Sequence, residues 1–146
     1  MRSDVRLVLD TNTAVSGLLW PGGPPGHLID AALDGRIELF SSTALLAELQ
    51  GVLDRPKFAR TLAKRGTSAR TLFNGYAALV TRVSPAAVPR VVERDPDDDH
   101  VLACAVAAKA RLIVSGDLDL LELGEHEGVP IFTAAQALTW IEQAPN

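Results

Sequence analysis

Short apolar runs, each closed by a polar or acidic residue, alternate with stretches of helical periodicity, and this alternation limits the possible folds more than any other feature of the chain. Residues 5–9 (VRLVL) run into Asp10, and residues 112–114 (LIV) run into Ser115, Gly116 and Asp117. Residues 37–40 and 130–132 are of the same kind, and residues 88–92 form a further candidate strand. Runs this short and this uniformly apolar fit strands buried on both faces, which is the signature of a parallel sheet. Between them, residues 28–33, 43–53, 57–64, 68–83, 98–109 and 118–123 carry helical patterns. Leu45, Leu46, Leu49, Val52 and Leu53 make an apolar stripe behind the capping residues Ser41, Ser42 and Thr43. Thr133, followed three residues later by Gln136, predicts a capping box opening a last helix. Residues 20–26 (WPGGPPG) read as a breaker. Strands alternating with helices predict an α/β fold, a three-layer α/β/α sandwich around a central, mostly parallel sheet. The length of 146 residues suits one domain, 1–146.

The net charge of −4 hides an asymmetry. From Arg55 to Val92 the chain has no acid and eight basic residues, Arg60, Lys64 and Arg65 among them; the remainder carries six basic and eighteen acidic residues. A basic middle beside acidic ends suits an enzyme of nucleic acids, the one part holding phosphates and the other cations. A solvated helical face with an unbalanced run of charge is the plainer alternative. Cys104 stands alone, so no disulfide forms within the chain, and its apolar surroundings VLACAVAA make it a small core residue. No apolar run approaches the ~20 residues of a membrane span. The N-terminus, cut by Asp10, reads as a strand and not as a signal peptide, so a cytoplasmic location is expected.

In a parallel sheet, ligands bind outside the carboxyl ends of the strands. Asp10 ends the first strand and Asp117 follows another, so both project from one edge. Asp98 opens a helix whose preceding loop lies at that edge, and Glu48, on the helix after the second strand, can lean over the same crevice. Carboxylates gathered in one place raise one another's pKa unless a cation neutralises them. Hard divalent ions with oxygen ligands, Mg²⁺ or Mn²⁺, answer that need. His27, His100 and His126 are scattered, which argues against zinc. Such an ion polarises a phosphoryl oxygen and acidifies a bound water. Asn12 and Ser115 are neutral neighbours able to orient carboxylate or phosphate. Taken one at a time, Asp10 is also a turn residue, Asp98 an N-cap and Glu48 a solvent-facing acid. Asp97 and Asp99 read as solvated acids favoured by the helix dipole, and Asp119 as the cap of the turn 118–123.

The combination of VLDTN at 8–12, Glu48, DPDDDHVLACA at 95–105 and IVSGDLDLL at 113–121 resembles the PIN-domain ribonucleases, most of all their VapC-like group, the toxins of bacterial toxin–antitoxin pairs. The resemblance spans nearly the whole chain in the right order. It implies that Asp10, Glu48, Asp98 and Asp117 are the catalytic acids, with Asp10, Asp98 and Asp117 on the metal. Asn12 and Ser115 match polar positions of the pattern. Also implied are Mg²⁺ or Mn²⁺ dependence, cleavage of single-stranded RNA, a homodimer or higher homo-oligomer, and an antitoxin that blocks the site. The acid-free stretch, and not the resemblance, makes Arg60, Lys64 and Arg65 the expected RNA contacts. Two other readings compete: a PIN-like RNA-binding scaffold without activity, and an aspartate-based phosphatase of the haloacid-dehalogenase kind. The second wants an Asp two residues after the first acid, where this chain has Asn12.

Overall fold

In a computed structural model that describes residues 5–85 and 96–143, six strands form one sheet in the order β3-β2-β1-β4-β6-β5. The strands are β1 (Arg6–Leu9), β2 (Glu38–Ser42), β3 (Thr81–Val83), β4 (Leu112–Val114), β5 (Glu125–His126) and β6 (Val129–Phe132). All neighbours run parallel except β5 and β6. Among the described residues, eight helices accompany them: α1 (Thr11–Leu19), α2 (Pro24–Leu33), α3 (Thr43–Leu53), α4 (Ala59–Lys64), α5 (Ala69–Leu79), α6 (Pro96–Ala108), α7 (Leu118–Leu123) and α8 (Ala134–Gln143). The expected run at 88–92 lies outside the described residues.

The period-two alternation of strand side chains divides the core into two. Leu7 and Leu9 of β1, Leu39 of β2, and Leu112 and Val114 of β4 face a cluster filled by α1, α2, α3, α5 and α8. Val8, Phe40, Ile113 and Ile131 face the other way, onto Val101, Leu102, Ala105 and Ala108 of α6 and Leu120 of α7. Helices cover both faces, as expected of an α/β/α sandwich. Cys104 is wholly buried in the second cluster, and burial pushes its thiol up to about 12. It stays protonated at neutral pH and serves as a small apolar filler.

Two helical starts follow the expected chemistry. Ser42 caps α3 by accepting from the Leu45 N–H at 3.3 Å. The capping box is formed in full, with the Gln136 N–H donating to Thr133 Oγ1 at 3.2 Å and the Thr133 N–H to Gln136 Oε1 at 2.9 Å.

Elsewhere the local chemistry is overridden. Helix α1 is not expected from its sequence, because TNTAVSGLL is rich in residues that favour caps and extended backbone. It forms because Thr11, Thr13, Ala14, Val15, Gly17 and Leu19 are buried. The supposed breaker supplies helix α2: Pro24 and Pro25 occupy its first turn, where a missing N–H costs no hydrogen bond. The helical pattern at 68–83 stops at Leu79, and its last three residues are strand β3. A two-residue hairpin turn, Glu127 and Gly128, both at positive φ, folds β5 back on β6.

Strand β1 is flanked by β2 on one side and β4 on the other, so the strand order reverses beside it. The carboxyl ends of β1 and β4 therefore frame the crevice where ligands of such sheets sit.

Candidate active site

Asp10 and Ser115 leave adjacent strands, and the sheet holds both in place. The Asp10 N–H donates to the Val114 carbonyl at 3.0 Å, and the Ser115 N–H to that of Phe132 at 2.9 Å. Asp10 then caps α1: its Oδ1 accepts from the Thr13 N–H at 2.8 Å. Its Oδ2 accepts from the Ser115 hydroxyl at 2.5 Å. The same hydroxyl oxygen accepts the Asp117 N–H at 2.9 Å, so one serine ties the first acid to the loop of the fourth. Asp117 caps α7, its Oδ1 accepting from the Asp119 N–H at 2.8 Å.

Asp98 sits in the first turn of α6 and is only 6% exposed. Its carboxylate and those of Asp117 and Asp119, both half-buried, each place an oxygen within 4.8 Å of the other two. Oxygens sharing one Mg²⁺ at ~2.1 Å lie at most about 4.2 Å apart, so movements of a few tenths of an ångström would close the cluster on an ion. The donors are all carboxylate oxygens, the chemistry that Mg²⁺ and Mn²⁺ select.

Not every expected acid joins this group. Asp10 is beside it, coupled through Ser115 and through the charge of Asp117. Glu48 is half-buried on α3, which packs against α6, and is not one of the three clustered acids. Two assignments are corrected. Asp119 does not cap its helix; Asp117 does, and Asp119 turns back into the cluster. Asp99 is not solvated but 1% exposed, on a helix that packs against β1 and β2. Asp95 and the side chain of Asp97 lie outside the described residues. The signal for Asp119 is its spacing two residues after Asp117 in SGDLD, which a capping role also satisfies.

A cleft of about 230 Å³ opens beside the acids, lined by Asn12, Thr13, Ser16, Pro25, Ser115 and Asp117, among others. Asn12 is exposed there and open to a ligand. The basic residues Arg60 and Lys64 are exposed on α4. Arg65 differs from them: its guanidinium donates to the carbonyls of Leu18 and Leu19 and so fastens the end of α1.

Burial is the main force on the Asp10 carboxyl and holds it above its ordinary value of 3.8, against hydrogen bonds from Ser115 and Thr13 that lower it. A raised folded-state pKa contributes stability that is fully present below the unfolded value and is lost as pH rises through the folded value. We therefore expect the metal-free protein to lose thermal stability as pH rises above 3.8 through the raised value of the folded state. In Asp10→Asn that part of the loss disappears, and at pH 7 without metal the variant melts higher than the wild type. Melting curves of both proteins in EDTA across this range check it; parallel pH profiles would show that the buried charge costs nothing.

A family model described as PIN domain matches residues 6–119. An uncharacterized protein of Methanocaldococcus jannaschii is 29% identical over 122 residues, which covers 84% of this chain and 77% of that protein. A chain in the crystal structure of VapBC2 from Rickettsia felis, bound to a DNA fragment from their promoter, superposes with a TM-score of 0.58 at 15% sequence identity. The superposition covers 86% of this chain and 96% of that one. At that identity the likeness concerns the fold.

Proposed function

The chain belongs to the PIN domain family, and from that premise we propose that it is a metal-dependent endoribonuclease cutting single-stranded RNA, the toxin of a toxin–antitoxin pair. The observation that carries the reading is the meeting of Asp98, Asp117 and Asp119 at the carboxyl edge of the sheet, next to buried Asp10. Asp10, Asp98 and Asp117 are assigned to an Mg²⁺ or Mn²⁺ ion, with Asp119 added to them. When bound, the ion supplies Lewis-acid polarisation of a phosphoryl oxygen and a more acidic water. The chain's own groups do the rest. Ser115 fixes the Asp10 carboxylate and the Asp117 loop with one hydroxyl. Asn12 offers a neutral amide to phosphate from the cleft wall. Glu48, on α3, is assigned to orienting the attacking water or a second ion.

A homodimer and an antitoxin partner belong to the same reading. Their support is the VapBC2 neighbour and an apolar groove of about 210 Å³ between α1, α2 and α5, where Leu33 is 66% exposed. A cytoplasmic setting accords with the single buried, protonated Cys104.

The test is direct. Purified protein is incubated with a labelled single-stranded RNA in Mn²⁺ and, separately, in EDTA. Cutting in Mn²⁺ alone is expected. RNA binding without cutting in either buffer would replace the nuclease with a scaffold, and release of phosphate from a small phosphomonoester would point to a phosphatase.

The acid-free surface makes a separate prediction. Replacing Arg60 and Lys64 by Ala weakens RNA binding several-fold and reduces the slope of log affinity against log salt by about 1.4, or ~0.7 for each phosphate no longer neutralised. Arg65 is left alone in this variant because it holds helix α1. An unchanged slope would mean that the two cations never touch the strand.

A further inference from the structure

Trp20 is 52% exposed, although it joins two well-packed helices, α1 and α2. Its ring meets Phe58 edge to face, with centroids 6.1 Å apart and an interplanar angle of 70°. Phe58 packs in turn against the core. The indole is thus braced from below while much of its surface stays open to solvent. Two cations flank the pair. Lys57 Nζ lies 5.1 Å from the centroid of the Phe58 ring, and the Arg65 guanidinium sits on the carbonyls of Leu18 and Leu19, just before Trp20. No acid occurs from Arg55 onward through the rest of this basic stretch as far as Val92.

The position matters as much as the composition. Helix α1 starts at Asp10 and ends at Trp20, so its rise of ~1.5 Å per residue puts the aromatic pair about 15 Å from the acids. Ser16 and Pro25, on either side of the Trp20 turn in sequence, both line the cleft that reaches Asn12, Ser115 and Asp117. Trp20 and Asp10 therefore lie at the two ends of one helix, and the cleft beside Asp10 reaches along it as far as Ser16.

We propose that Trp20 and Phe58 form a stacking platform for a base of single-stranded RNA, on the order of four stacked nucleotides of ~3.4 Å from the bond that is cut. A base lies on the open indole face, Lys57 meets a neighbouring phosphate, and the strand runs along α1 into the acids. A braced aromatic surface beside cations, without acids, is how sequence-tolerant single-strand binding is achieved, since every base has a π face. The inference rests on the nuclease reading only for the direction of the strand; the platform itself is a binding site.

Binding is measured in EDTA, so that no strand is cut. Trp140→Phe leaves Trp20 as the one remaining tryptophan. This protein is titrated with a ten-nucleotide oligoadenosine and with an abasic ribose-phosphate strand of the same length. The base-bearing strand is expected to quench Trp20 emission and to bind about tenfold more tightly than the abasic one, within the range of one base–aromatic stack. Trp20→Ala should remove that preference, and Trp20→Phe should keep most of it. Equal affinity for the two strands, or a preference indifferent to Trp20→Ala in a protein that melts normally, would overturn the platform. The two readings fail separately. Stacking without cutting in Mn²⁺ would leave the platform and end the nuclease; cutting with no role for Trp20 in binding would do the reverse.

Discussion

Asp98→Asn and Asp117→Asn each lower the rate of RNA cleavage in Mn²⁺ by about a thousandfold or more, which is on the order of 4 kcal/mol of transition-state stabilisation. The size follows from what is removed. Each substitution takes a negative oxygen from a cluster whose members approach within 4.8 Å, while the shape of the side chain hardly changes. An ion that loses one of its few carboxylates is bound more weakly and positioned less well. The fold should not suffer, since like charges this close repel when no cation separates them. Both variants should therefore melt in EDTA at or above the wild-type temperature while their stabilisation by Mn²⁺ is reduced. Asp119→Asn is expected to weaken metal binding as well, a role that a helix cap would not have. Wild-type cleavage rates in Asp98→Asn and Asp117→Asn would remove the acids from the chemistry.

The second large effect is on stability. Gly26→Ala should destabilise the fold by about 3 kcal/mol, lowering the melting temperature on the order of 10 °C for a chain of this size. Gly26 lies in the first turn of α2, where a Cβ would stand 2.1 Å from the Pro21 carbonyl oxygen and 2.5 Å from the Pro21 Cα. These are backbone atoms of the turn that carries Trp20, so the clash cannot be relieved by a rotamer change. The turn must move, and the stacking of RNA on Trp20 should weaken with it. Gly51 in α3 is the control: a Cβ there meets nothing within 4 Å. Gly51→Ala should stabilise by up to ~1 kcal/mol through better helix propensity and a less free unfolded chain. Thermal melts of the two variants measure the contrast; equal shifts would mean that the α1–α2 turn is looser than its geometry shows.

Period and termination make much of the architecture legible in the chain alone. Val8 and Ile113 sit in apolar runs too short for helices and too uniform for one-sided strands, so a doubly covered parallel sheet follows. Thr133 and Gln136 are three residues apart, and their reciprocal bonds are local chemistry. Asp10 and Asp117 follow strands that are visible as apolar runs, which is why the chain alone assigns both to one edge. These features depend on residues close together in sequence, where propensity and spacing decide.

What stays hidden in the chain depends on packing between distant segments. Helix α1 has weak intrinsic propensity and forms because α2 and α3 pack against it, with Gly17 allowing Pro25 and Ile29 to come close. Pro24 and Pro25 break a helix in its interior but begin one in its first turn, and only the packing of α2 says which applies. Asp119 and Asp99 look like surface acids because a helix start leaves the direction of each side chain open; the docking of α6 and α7 on the sheet settles it. The same holds for the basic stretch. Its charges are plain in the chain, but only tertiary structure separates Arg65, engaged at the end of α1, from Arg60 and Lys64 on the surface, and brings Phe58 beneath Trp20.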